Sequence, residues 1–300
     1  MNGHGQATGV VPLLCLLAVG GSIGVTNNLA RLGDGSGAPP LALLLCSVLG
    51  AAFLLAILAV AARRSPALDR RTLVYGLVSG LLLMALPTGI IYLAVPHVGA
   101  GFVSLSLAFV PLITYLLAAI LRIEPNRWLR LAGVFAGLAG ALLLALGKAR
   151  APDAQPLWIA ATLAVPVTIA IGNIYRTLRW PPGAASLSLA PLMLAGAGIW
   201  LLPLALPGAG AVLANGTGVM LAVIQAIVFT LTYSLYFILQ RLSGAVYLSQ
   251  IGSVGAVVGA AIAVIAFGER MPPGFVVAAI LIVAGLVLFN LRRKAVVPAA

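Results

Sequence analysis

Apolar residues run along almost the whole chain in stretches of about twenty, broken by short polar or Pro/Gly-bearing loops. Ten stretches can be bounded: residues 10–30, 39–62, 72–95, 98–121, 129–147, 157–178, 187–206, 218–241, 245–267 and 273–291. About 20 apolar residues in a helix cross the hydrocarbon core of a bilayer. Between them lie loops such as RRSPALDRR at 63–71 and RWPPG at 179–183. No loop is long enough for a soluble domain. The pattern predicts an all-α polytopic membrane protein with ten transmembrane helices.

Composition agrees. The chain of 300 residues is 62% hydrophobic and 7% charged, whereas about a quarter of the residues in soluble domains are charged. The stretch MNGHGQATG has no Lys or Arg, so the first apolar run is expected to be a retained helix rather than a signal peptide. Cys15 and Cys46 fall inside apolar runs, which suits packing rather than a disulfide or a metal. No cofactor or metal site is expected.

The net charge of +12 has two readings, a nucleic-acid partner or a charge bias across a membrane. Counting decides for the membrane. With ten spans both termini share one side. That side holds Arg63, Arg64, Arg70, Arg71, Arg122, Arg127, Arg130, Arg176, Arg179, Arg241, Arg292, Arg293 and Lys294; the other holds Arg31, Lys148, Arg150 and Arg270. The split of 13 to 4 puts both termini in the cytoplasm under the positive-inside rule. No nucleic-acid partner is expected, and the lipid bilayer is.

The second half repeats the first at an offset of 145 residues. Asn28 and Arg31 fall on Asn173 and Arg176, Gly99-Ala100 on Gly244-Ala245, Ser104 on Ser249, Gly140 on Gly285, and Glu124 on Glu269. Glu124 and Glu269 are the only glutamates. Residues 1–150 and 151–300 thus read as two five-helix repeats. Five spans per repeat make the second enter from the opposite side, an inverted repeat of the kind common in secondary transporters.

These features resemble the drug/metabolite transporter superfamily, with two EamA-type repeats. The motifs that carry the resemblance are GAGFVSLSLAFVPLITYLLAAILRIE at 99–124 and GAVYLSQIGSVGAVVGAAIAVIAFGE at 244–269. The first departs from the usual Gly-Glu ending, with Ile123 before Glu124. The resemblance implies a carrier in the inner membrane that moves small metabolites without ATP. It implies a central cavity lined by the first, third, fourth, sixth, eighth and ninth helices, with the fifth and tenth at the back. It extends to the bacterial branch that exports aromatic and other hydrophobic amino acids.

No Asp or Glu falls in the middle of a span: Asp34, Asp69, Glu124, Asp153 and Glu269 are all in loops or at helix ends. A charge at the bilayer centre is costly, and proton relays usually keep one. Facilitated diffusion is therefore the simplest mechanism, with proton-coupled antiport as the alternative. His97, at the outer mouth, is either a titrating group or a loop residue.

An apolar cavity with a few polar groups is the usual form of a small-molecule site. Segment four offers Ser104, Pro111 and Tyr115, and segment nine offers Ser249 and Ser253; these faces suit cavity lining or close packing. Pro111 frees a backbone carbonyl that can bind an amino group. Segment three offers Met84, Thr88 and Tyr92, and segment eight Gln225, Phe229, Thr232 and Tyr236. Thioether and rings suit an apolar side chain or an ammonium, and equally suit packing. Asn28 and Asn173 read as substrate contacts or as inter-helix hydrogen bonds. Trp128, Trp158 and Trp180 read as interfacial anchors. The Gly133/Gly137 and Gly255/Gly259 pairs suit contacts within the fold, or a dimer face of a chain otherwise expected to be a monomer. Glu124 and Glu269 read as structural repeat markers, with Arg270 as a neighbour that neutralises Glu269.

Other classes fit less well. An intramembrane enzyme needs a nucleophile with a base, a metal triad or paired membrane acids, and no such motif occurs. A channel or scramblase is the next rival, and ion channels tend to keep charged or carbonyl rings. Within the carrier class, drugs and nucleotide sugars are the competing cargo; phosphate-bearing cargo calls for more cations inside the cavity.

Overall fold

The computed structural model describes residues 10–64, 68–123, 128–150, 155–242, 245–269 and 274–290. Among these residues there are helices and no strand. They are α1 (Val10–Gly35), α2 (Pro40–Ala61), α3 (Arg70–Val98), α4 (Ala100–Ile120), α5 (Trp128–Ala149), α6 (Pro156–Leu178), α7 (Ser186–Ala214), α8 (Gly216–Leu242), α9 (Ala245–Ser249 and Ile251–Phe267) and α10 (Phe275–Asn290). The first nine are long and apolar enough to cross a membrane. Over its described residues α10 is helical and apolar but shorter than a span requires.

Three helices are broken, two of them just ahead of a proline. In α3 a π-helical turn, Leu81–Ala85, precedes Pro87, and in α4 a 3-10 turn, Leu107–Phe109, precedes Pro111. Proline donates no N–H, and its ring crowds the carbonyl four residues back, which here belongs to Leu83 and Leu107. In α9 the helix stops at Ser249 and resumes at Ile251. Irregular backbone at membrane depth is tolerated where protein buries it or it lines a cavity.

Packing follows small residues, because lipid tails are as apolar as the helices and give them no hydrophobic reason to associate. Between α1 and α9, a Cβ on Gly24 would lie 2.6 Å from the Gly259 amide nitrogen. Between α5 and α10, a Cβ on Gly285 would lie 2.6 Å from the Gly133 carbonyl. Both glycine pairs flagged in the sequence thus serve contacts inside the chain. Helix α1 packs on α9 and α8, and α6 on α4 and α3; α2 and α7 pack on each other, α2 also on α8 and α7 also on α3; α5 packs on α10. Large apolar side chains such as Phe53, Leu204 and Ile265 point outward, as a lipid-facing surface demands.

The loop ends are built by local chemistry. Asp69 caps α3: its carboxylate accepts from the Arg71 amide at 3.2 Å and from the Thr72 hydroxyl. Gly268, with φ +61°, ends α9 in the left-handed conformation that glycine adopts without strain. The Glu269 amide then donates to the Ala263 carbonyl at 3.1 Å. This reversal delivers the Glu269 side chain to the start of α4.

Candidate functional site: a central cavity and the contact at its end

A cavity of about 70 Å³ lies where the broken turns meet. Its walls come from α1 (Ile23, Thr26, Asn27), α3 (Leu83, Pro87, Thr88, Ile91), α4 (Leu107, Val110), α6 (Ile169, Asn173), α8 (Phe229, Thr232, Tyr233, Tyr236) and α9 (Leu248, Ser249, Ile251, Gly252). These are the six helices that the sequence resemblance implies. Leu83 and Leu107, the residues crowded by the two prolines, are both in the wall.

The polar groups are few and mostly paired. The Tyr236 hydroxyl donates to Asn173 Oδ1 at 2.8 Å. Asn27 Nδ2 donates to Ser104 Oγ at 3.1 Å, and Gln225 Nε2 to Thr26 Oγ1 at 3.1 Å. Met84 lies just behind the wall; its sulfur accepts from Tyr233 Oη at 3.2 Å and from Thr88 Oγ1 at 3.5 Å. Such thioether contacts fix the two donors while leaving an adaptable surface. The Tyr233 ring lies 6.0 Å from Phe229 and 5.8 Å from Tyr236, so the three form an aromatic flank.

The structure brings Thr88, Asn173, Phe229, Thr232, Tyr236 and Ser249 to the cavity wall. Met84, Ser104 and Gln225 stand behind it and hold residues that line it. Asn28 bridges helices instead, with Nδ2 donating to the Gly24 carbonyl at 2.9 Å and the Gly259 carbonyl at 3.0 Å. Tyr92 is buried in the main apolar core, Tyr115 in a cluster with Leu112 and Val134, and Pro111 one position past Val110. Ser253 is half-buried on α9 outside the wall. Glu124 and Arg270 lie outside the described residues. The polar cavity residues that the sequence reading passed over are Asn27, Thr26 and Tyr233. Asn27 carries a signal, a second amide in an apolar helix, but adjacent amides give no rule for choosing between them.

On α3 the expected face was Met84, Thr88 and Tyr92; the wall takes Leu83, Pro87 and Ile91 beside Thr88. The π turn at 81–85 adds a residue to the winding. The face that reaches the cavity is centred one position earlier than the expected one.

At one end of the bundle Glu269 closes a three-way contact. Its Oε1 pairs with Arg31 Nη1 and accepts the Ala100 amide at 2.9 Å, while Oε2 accepts the Gly101 amide at 2.8 Å. A carboxylate at a helix N-terminus meets free N–H groups and the positive end of the dipole. Gly99, at φ +85°, makes room: a Cβ there would lie 3.0 Å from Glu269 Oε2. Arg31 also sits over the Phe267 ring, 5.1 Å from its centroid. Around this contact is a polar hollow of about 280 Å³, lined among others by Asp34, His97 and Lys148. His97 stacks on Trp158, ring centroids 4.6 Å apart.

Arg176, counted from the sequence among the cytoplasmic surface charges, is fully buried at the end of α6. Its guanidinium lies over Phe237, 3.9 Å from the centroid, and over Tyr236, 4.7 Å away.

Residues 11–146 match the EamA-like transporter family. The match supports the drug/metabolite transporter superfamily and points to a membrane transporter of small molecules rather than an enzyme. No curated protein matches the chain. A crystal structure of another protein has the same fold, with a TM-score of 0.60 over 95% of this chain and 98% of its own, at 21% identity.

Proposed function

We propose that the protein is a secondary transporter in which two inverted five-helix repeats, residues 1–150 and 151–300, alternate access to the central cavity. The observation that carries this reading is the cavity itself. It is walled by three helices of each half and floored by irregular turns, in a chain whose first half matches a transporter family.

The packing pairs support the duplication. Under the 145-residue offset, α1 on α9 becomes α6 on α4, α1 on α8 becomes α6 on α3, and α2 on α8 becomes α7 on α3. The contacts α2–α7, α5–α10 and α4–α9 map onto themselves. All of these pairs are present. Two similar halves packed in this way have a second, near-equivalent packing, and exchange between the two moves the opening from one side to the other.

The cargo is a small metabolite, with aromatic and hydrophobic amino acids favoured. The aromatic flank suits an apolar side chain, and ring faces attract an ammonium. At about 70 Å³ the cavity is below the 300–1,000 Å³ typical of ligand pockets, so cargo binding must widen it. Export by facilitated diffusion across the bacterial inner membrane, with both termini cytoplasmic, completes the reading. It is tested by uptake into proteoliposomes over a panel of the twenty amino acids and several cationic drugs. Saturable uptake with counter-transport of at least one amino acid is expected; uptake of nucleotide sugars alone rejects the cargo, and non-saturable flux rejects the carrier.

A further inference from the structure

Arg176 is a buried cation with no anion paired to it among the described residues. Its Nε donates to Tyr75 Oη at 3.4 Å, Nη1 reaches the Met193 sulfur at 3.8 Å, and Nη2 has no hydrogen-bond partner. Among the described residues the ion pair present is Arg31–Glu269, so no described carboxylate neutralises Arg176. A guanidinium cannot shed its proton in a protein. The rings of Tyr236 and Phe237 and the C-terminal end of the α6 dipole favour the charge. They leave open the donors that a planar anion would fill. A carboxylate does so with two parallel N–H bonds.

The position is beside the cavity. Arg176 follows Asn173 by three residues, so the two share a face of α6. Asn173 and Tyr236 line the cavity and are bonded to each other, and the Tyr236 ring separates the guanidinium from the space. The repeat counterpart of Arg176 is Arg31, whose carboxylate is Glu269; Glu124, the counterpart of Glu269, lies outside the described residues.

We propose that Arg176 is the anion-recognition residue of the cavity and takes the carboxylate of a small zwitterionic cargo once Tyr236 has swung off Asn173. This rests on the transporter reading above and names the half of the cargo that the aromatic flank does not read. A purely structural role, over the rings or paired with Glu124, gives no preference for acids over their amides.

The test compares phenylalanine with phenylalaninamide on the purified full-length protein, by uptake into liposomes and by thermal stabilisation in detergent. Wild type is expected to favour the acid by roughly tenfold or more, the loss typical of a charge-assisted bond. Arg176→Gln and Arg176→Lys are expected to lose that preference while still binding the amide. Equal wild-type binding of acid and amide overturns the proposal, as does an Arg176→Gln protein that keeps the preference. If Arg176→Gln does not fold, Arg176→Lys and the wild-type comparison decide. If wild type takes up no amino acid, the cargo reading fails separately. Arg176 is then judged by phenylacetate: stabilisation that Arg176→Lys abolishes supports the site, and its absence from wild type rejects it.

Discussion

One carboxylate, Glu269, holds the first two amides of α4 and the guanidinium at the end of α1. Glutamine in its place keeps one acceptor and turns an amino group toward a buried N–H. Glu269→Gln is expected to lower the melting temperature, by about 1–3 kcal/mol of stability, while transport per folded molecule is kept; lost transport at normal abundance rejects a structural role. Gly99→Ala adds a Cβ against the same carboxylate at φ +85° and should destabilise similarly, with less than additive effect in the double variant. At the other loop, hydrogen bonding from Thr72 above all holds the Asp69 carboxyl below its ordinary value of 3.8. A depressed pKa adds stability above the unfolded value, and that stability is lost as pH falls through the folded one. Asp69→Asn should therefore flatten the decline in melting temperature below about pH 4. Residue type was legible here and partnership was not. Glu269 stood out as one of two glutamates, but nothing local pointed to Arg31, 238 positions away, or to amides that any residue carries. Arg176 was misplaced for the same reason. A basic residue at a helix end reads as a surface charge until the rings packed over it are seen.

The helices themselves were read from apolar runs, and their breaks were not. The runs gave nine spans close to their observed positions, because length and apolarity largely decide what crosses a bilayer, except that α7 continues to Ala214, beyond its expected end at 206. Faces depend on winding. In α8 the helix is unbroken, and Phe229, Thr232 and Tyr236 share the cavity face as their spacing indicates. In α3 and α4 Leu83 and Leu107, in the irregular turns ahead of Pro87 and Pro111, enter the wall while Tyr92 and Tyr115 pack elsewhere. Where α1 crosses α9, backbone meets backbone at Gly24 and Gly259. Gly24→Val is expected to part the two helices and cost about 1–3 kcal/mol, the usual range for overpacking, read as thermal stability in detergent. An unchanged melting curve would show that the crossing has slack.

At the scale of the molecule, the alternating-access reading predicts that the Arg31–Glu269 contact parts in one of the two packings. Cysteines at both positions, in a background with Cys15 and Cys46 replaced by Ala, can be joined by a cleavable bifunctional thiol reagent. Cross-linking is expected to stop uptake, and cleavage to restore it; uptake through the cross-linked protein would place the moving gate elsewhere.

The narrow centre bears on the bilayer as an electrical insulator. A carrier working by facilitated diffusion returns empty after each net delivery. A wide wet core would offer protons and ions a file of water through the protein on every return. About 70 Å³ has room for only a few waters, and the aromatic flank and paired amides leave them little freedom to join into a wire. On the transporter reading, the resting molecule is therefore expected to add a route for its cargo without discharging the gradient of the membrane that holds it.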